Sequence, residues 1–139
     1  MSPSIFIDGE HGTTGLQIRT RLEERKDINL MSLAAENRRN VGLRRQMLNE
    51  ADLVILCLPD DASRESVSMI DNPLVKVIDA STAHRVAEDW VYGMPEYDRD
   101  QRGRIADAKR VSNPGCYAIA SIGLLHPLTS IGLLPSDFP

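Results

Sequence analysis

The chain has 139 residues, 42% of them hydrophobic and 26% charged, which suits one globular domain burying roughly two thirds of its unfolded surface. Its 16 Lys and Arg against 20 Asp and Glu leave a net charge of −4, which argues against nucleic acid as a partner. No apolar run is long enough to span a membrane, and two cysteines are too few for a disulfide framework.

The opening MSPSIFID has neither a basic n-region nor a signal-like apolar stretch, so a reduced, cytoplasmic setting is expected. Pro3 to Asp8 is β-rich and stopped by Gly9, and reads as a strand. Thr13 to Arg25 reads as a helix, with Thr13 or Thr14 as its cap and Leu16, Ile18 and Leu22 as its apolar members. Ile28 to Ala34 alternates as a second strand, and Val41 to Glu50 is a weaker amphipathic helix. Asp52 to Leu58 is a continuous apolar run closed by Pro59, as suits a strand buried on both faces of a parallel sheet. A helix over Ala62 to Asp71 and a strand over Val75 to Asp79 follow. Periodicity then fails from Ala80 to Arg104, around Gly93 and Pro95, and this stretch reads mainly as loop. Lys109 to Ser112 is a short strand. Gly115 to Ile131 is a helix that Pro127 must bend or end.

Strands alternating with helices predict an α/β fold, a Rossmann-like, doubly wound, mostly parallel sheet. Five strands are legible where such folds usually have six. The closing LLPSDFP falls where another connection is due, so the fold is expected to be cut short.

The first strand runs into DGEHGTTG, with Gly9, Gly12 and Gly15 spaced three apart. Glycines let the backbone turn sharply and approach a phosphate, while the helix that follows offers free N–H groups and the positive end of its dipole. Thr13 and Thr14 add hydroxyl donors. A tight turn with no ligand is the plainer alternative, and His11 within the loop reads as an exposed residue, not a base. About twenty positions on, where an acid would hold the ribose hydroxyls of NAD, stands AAENRR. Glu36 could serve so. Arg38 and Arg39 could instead hold a 2′-phosphate, which favours NADP, and a solvated charged turn would do neither.

The other chemical signal is VSNPGCYAIA, Val111 to Ala120. Asn113 is suited to cap a helix and Pro114 to begin it, which puts Cys116 in the first turn. There the dipole and unpaired N–H groups favour a thiolate, and the same groups can stabilise an oxyanion on a carbonyl that the sulfur attacks. Cys57, inside an apolar strand, reads as a small buried hydrophobe. A thiol nucleophile beside a dinucleotide site suggests thioester or hemithioacetal chemistry coupled to hydride transfer.

VSNPGCYA resembles the active-site signature of the N-acetyl-γ-glutamyl-phosphate reductases, arginine-biosynthesis relatives of the aspartate-semialdehyde dehydrogenases. The glycine loop, LCLP at Leu56 to Pro59, VIDAS at Val77 to Ser81 with Arg85 following, and VYGMPE at Val91 to Glu96 agree with that family in order. FIDGEHGTTGLQI is similar to the shorter of its two forms. Ile119 and Leu124 depart from it, standing where threonine and a small residue are usual. The resemblance implies a small-molecule acyl-phosphate substrate attacked by Cys116, loss of phosphate, and hydride delivery from NADPH to give a hemithioacetal and then the semialdehyde. Gly9, Gly12, Thr13, Thr14, Gly15 and Arg38 would hold the cofactor, Pro59 and Ser81 would face its crevice, and Asn113 would serve substrate or oxyanion. No metal is expected.

By the same resemblance residues 1–139 are the NAD(P)-binding domain. The domain for dimerisation and for the histidine acid/base lies outside this chain, the fragment alone is inactive, and the whole protein is a homo-oligomer. His126 is ten residues past Cys116, roughly 15 Å along a helix and out of reach, and His84 is not read as the base. The alternatives are an aspartate-semialdehyde dehydrogenase-like enzyme and a dinucleotide-binding module without catalysis.

Overall fold

The computed structural model describes residues 2–135 and 137; Ser136, Phe138 and Pro139 of the expected tail lie outside the described residues. The chain forms β1 (Ser4–Asp8), α1 (Thr13–Glu23), β2 (Asn29–Met31), a single 3-10 turn at Ala35–Asn37, and α2 (Val41–Glu50). There follow β3 (Leu53–Leu56), α3 (Asp60–Ser68), β4 (Lys76–Asp79), β5 (Val91–Tyr92), α4 (Gln101–Asp107), β6 (Arg110–Ser112) and α5 (Cys116–Ser130). One sheet results, in the order β2-β1-β3-β4-β6-β5 with every neighbouring pair parallel. This is the Rossmann-like doubly wound fold.

Alternation along the strands divides the core. Phe6, Val54, Leu56 and Val77 face one way, against Leu48 of α2, Met69 at the end of α3, and Trp90. Ile5, Ile7 and Ile55 face the other, against Ile18 and Leu22 of α1. Burying each such side chain stabilises the fold by about 1.5–3 kcal/mol before entropy is counted.

Four expectations change. The sheet has six strands, because β5 lies in the stretch read as loop, and α4 begins within that stretch. Strand β5 is two residues long at an edge, too short to show a period. Helix α1 is capped by the Gly12 backbone and not by a threonine side chain. Helix α5 is capped by Gly115 without a side-chain bond, so Asn113 stands two residues outside it and Pro114 is not helical. Of the two effects expected of Pro127, an end to α5 at the proline is not seen; the helix runs on to Ser130, with the proline in its last turn. No helix among the described residues is long and apolar enough to cross a membrane.

Candidate cofactor crevice and nucleophile

From β1 the chain first crosses to β2 on one side, and later returns to β3 on the other. The connections after β1 and β3 therefore diverge and open a crevice at the carboxyl ends of the strands. A cleft of about 450 Å³ lies there, lined among others by Gly9, Gly12, Leu33, Arg38, Arg39 and Leu58.

The three glycines have three different reasons. Gly9 has φ +94°, and a Cβ on it would overlap the Cys57 carbonyl. A Cβ on Gly15 would overlap the Gly9 carbonyl, so this glycine seats α1 against the loop. Gly12 has only the Gly9 carbonyl oxygen near, 3.4 Å from a Cβ position, and it faces open space. The Gly12 N–H donates to the Gly9 carbonyl at 3.0 Å and closes the turn. Thr13 and Thr14 are exposed at the start of α1, and among the described residues neither hydroxyl has a hydrogen-bond partner.

Arg38 and Arg39 line the cleft, and among the described residues neither forms an ion pair. Glu36 is exposed and does not line it. Arg44 also reaches the cleft, but its Nη2 donates to Asp8 Oδ2 at 2.9 Å and to Ser66 Oγ at 2.8 Å. Sequence reasoning passed over this cluster, and over a second in which buried Glu10 accepts from Arg19 Nη1 and, at 2.7 Å, from Ser32 Oγ, pinning the glycine loop to α1 and to the tip of β2. The available signal for the first cluster was an acid among apolar strand residues, Asp8 in FID; Glu10, in the loop, had none. His11 is half-exposed, with Nε2 3.7 Å from the Glu10 carboxylate.

Pro59 and Ser81 do not line this cleft. Pro59 is the N-cap of α3. Ser81 is buried, and its hydroxyl donates to Asp79 Oδ2 at 2.6 Å. That carboxylate, wholly buried at the end of β4, also accepts from the Ser81 N–H at 2.9 Å and bonds His84 Nδ1 at 2.6 Å. Burial pushes the Asp79 carboxyl up, but the bonds from Ser81 and His84 outweigh it and hold it below the usual carboxylate range. The His84 ring stacks on Trp90, centroids 4.2 Å apart. His126 stacks on Tyr97 at 4.6 Å, far along α5 from its first residue.

Cys116 is exposed as the first residue of α5. Cys57 is half-buried below the glycine loop; burial pushes its thiol up to about 11, with the carboxylates of Asp79 and Asp8 adding to the effect. The Asn113 N–H donates to the Asp79 carbonyl at 2.7 Å, and its side-chain amide reaches only the Pro114 carbonyl, at 3.3 Å.

A family model described as "Semialdehyde dehydrogenase, NAD binding domain" matches residues 4–105. The chain is 62% identical over 139 residues to the N-acetyl-gamma-glutamyl-phosphate reductase of Chelativorans sp. (strain BNC1), covering all of this chain and 45% of that protein. It is 60% identical to that of Mesorhizobium japonicum over the same shares. To N-acetyl-gamma-glutamyl-phosphate reductase 2 of Pseudomonas putida it is 55% identical over 138 residues, 99% of this chain and 44% of that protein. The chain thus spans about half the length of the curated relatives it matches. Among solved structures, aspartate semialdehyde dehydrogenase II from Vibrio cholerae, complexed with ASA, superposes with a TM-score of 0.63 at 19% identity, over 94% of this chain and 46% of that one. At that identity the likeness concerns the fold.

Proposed function

The chain belongs to the semialdehyde dehydrogenase family, matching its NAD-binding domain, and from that premise we propose that it is the NADP-binding, nucleophile-bearing half of an N-acetyl-γ-glutamyl-phosphate reductase. One observation carries the reading: an open glycine-loop cleft after β1 and an exposed thiol after β6 share the carboxyl end of one parallel sheet. Strands β1 and β6 are separated by β3 and β4. Three inter-strand spacings make about 14 Å, within the length of an extended dinucleotide.

The residues fit such a cofactor. The space open at Gly12 and the unpaired N–H groups of Thr13 and Thr14 suit a pyrophosphate, and unpaired Arg38 suits the 2′-phosphate that distinguishes NADP. When bound, the dinucleotide supplies the hydride. At Cys116 the thiolate attacks the carbonyl carbon of the acyl phosphate, the bond to the phosphate oxygen breaks, and inorganic phosphate leaves with a thioester on the sulfur. N–H groups at the start of α5, with the Asn113 amide, are the donors for the oxyanion of that step. The acid/base and the second domain are assigned to polypeptide outside these residues, in a cytoplasmic homo-oligomer.

Isothermal calorimetry with NADP⁺ and NAD⁺ tests the cofactor reading. Saturable binding with NADP⁺ tighter by about tenfold or more is expected, the 2′-phosphate adding charge-assisted bonds to Arg38. Binding of neither dinucleotide would reduce the glycine loop to a turn.

A further inference from the structure

We infer that Arg85 positions the nucleophile, its guanidinium clamping the main chain of the Asn113–Gly115 turn so that α5 begins at Cys116. This rests on the reading of Cys116 as the nucleophile.

Arg85 Nε donates to the Asn113 carbonyl at 3.1 Å, and Nη2 reaches the Ala80 carbonyl at 3.5 Å. Nη1 lies so close over Gly115 that a Cβ there would stand 2.6 Å from it. Gly115 has φ −80° and ψ 153°, a conformation open to any residue. A side chain there would have to displace the guanidinium, the movable end of Arg85. The Asn113 N–H donates from the other side to the Asp79 carbonyl at 2.7 Å. Both polar groups of the Asn113 backbone are thus held by the segment 79–85.

That segment is itself anchored. The buried Asp79 carboxylate gathers Ser81 and His84, and the His84 ring lies on Trp90, which is part of the core. Arg85 follows directly in the chain. Its planar fork can engage carbonyls of two segments and still lie flat on Gly115, which an ammonium on a flexible stem cannot do. The fork also sets a positive charge one residue from the thiol.

The test is the rate of iodoacetamide alkylation of Cys116 in the full chain, read on its own peptide by mass spectrometry so that Cys57 does not interfere. Arg85→Ala is expected to slow it about tenfold, the scale of a small displacement of a reacting group. Arg85→Lys should recover only a minor part, and added methylguanidinium should restore Arg85→Ala but not Arg85→Lys. Circular dichroism checks that each variant is folded; if Arg85→Ala is not, Arg85→Lys carries the comparison. An unchanged rate in the folded variants, or full recovery in Arg85→Lys, overturns the clamp. A parent chain whose Cys116 reacts no faster than free cysteine overturns the nucleophile reading instead, a separate comparison from the ratio between variants.

Discussion

Gly9 and Gly12 stand three residues apart in one loop and differ in what a methyl group would meet. At Gly9 the backbone has φ +94° and the Cys57 carbonyl occupies the Cβ position. Gly9→Ala combines a conformation worth about 1–3 kcal/mol of strain with displacement of β3. Loss of about 3 kcal/mol in a urea melt is expected, and with it loss of cofactor binding as a secondary effect. At Gly12 the nearest atom is 3.4 Å away. Gly12→Ala replaces the N-cap glycine of α1 and should cost only about 0.5–1 kcal/mol, while placing a methyl where a phosphate must approach. NADP⁺ affinity should then fall by about tenfold or more in calorimetry. Equal effects of the two substitutions on both measurements would show that the loop is only a turn.

At the scale of elements, β1 closes on Asp8 as β4 closes on Asp79; the second carboxylate organises the loop that follows its strand, while the first ties its strand to two helices. Asp8 joins β1 to α2 through Arg44 and to α3 through Ser66, with Asp8 and Arg44 side chains only 8% and 12% exposed. Arg44→Met leaves the Asp8 charge buried without its partner and should cost about 3–5 kcal/mol in a urea melt. Adding Asp8→Asn should recover most of that loss, because the uncompensated charge goes with it. A double variant as unstable as Arg44→Met alone would place the cost in lost packing. Such pairings explain what the sequence left unread. Phe6, Val54, Leu56 and Val77 announce their strands through plain hydrophobicity, and three glycines at fixed spacing announce the loop. The partners of Asp8 and Glu10 lie 9 to 58 residues away and have no local signature; of those of Asp79, Ser81 is two residues on and His84 five. Strand β5 exists because Val91 and Tyr92 meet Val111 and Ser112, with Gly93 packed so closely on the Ser112 carbonyl that a Cβ would stand 2.9 Å from it. Neither contact is visible in a two-residue window. A helix starting near Cys116 was legible from NPGC, but Gly115 as the cap and Arg85 as its cover required three dimensions.

The whole molecule is unevenly covered. One sheet face is packed by α2, α3 and Trp90, while α5 has no buried residue at all. That helix is apolar around its whole circumference, and Leu124 is 68% and Tyr117 87% exposed, with Ile131 beyond its end at 70%. Apolar surface of this kind on a small domain marks a contact surface or an aggregation liability. In a chain of net charge −4, long-range repulsion is too weak to keep copies apart once such surfaces meet. Sedimentation velocity should therefore show a weight-average mass that starts near 15.4 kDa and rises with loading concentration. Leu124→Lys with Ile131→Lys should abolish that rise. Because both side chains are exposed in the single copy, the pair should leave the melting temperature within about 2 °C of the parent, less than a 1 kcal/mol change would produce. Parent and double variant sedimenting alike as monomers at every concentration would mean that α5 does not join copies of this chain. Association that persists in the double variant would move the contact to another surface.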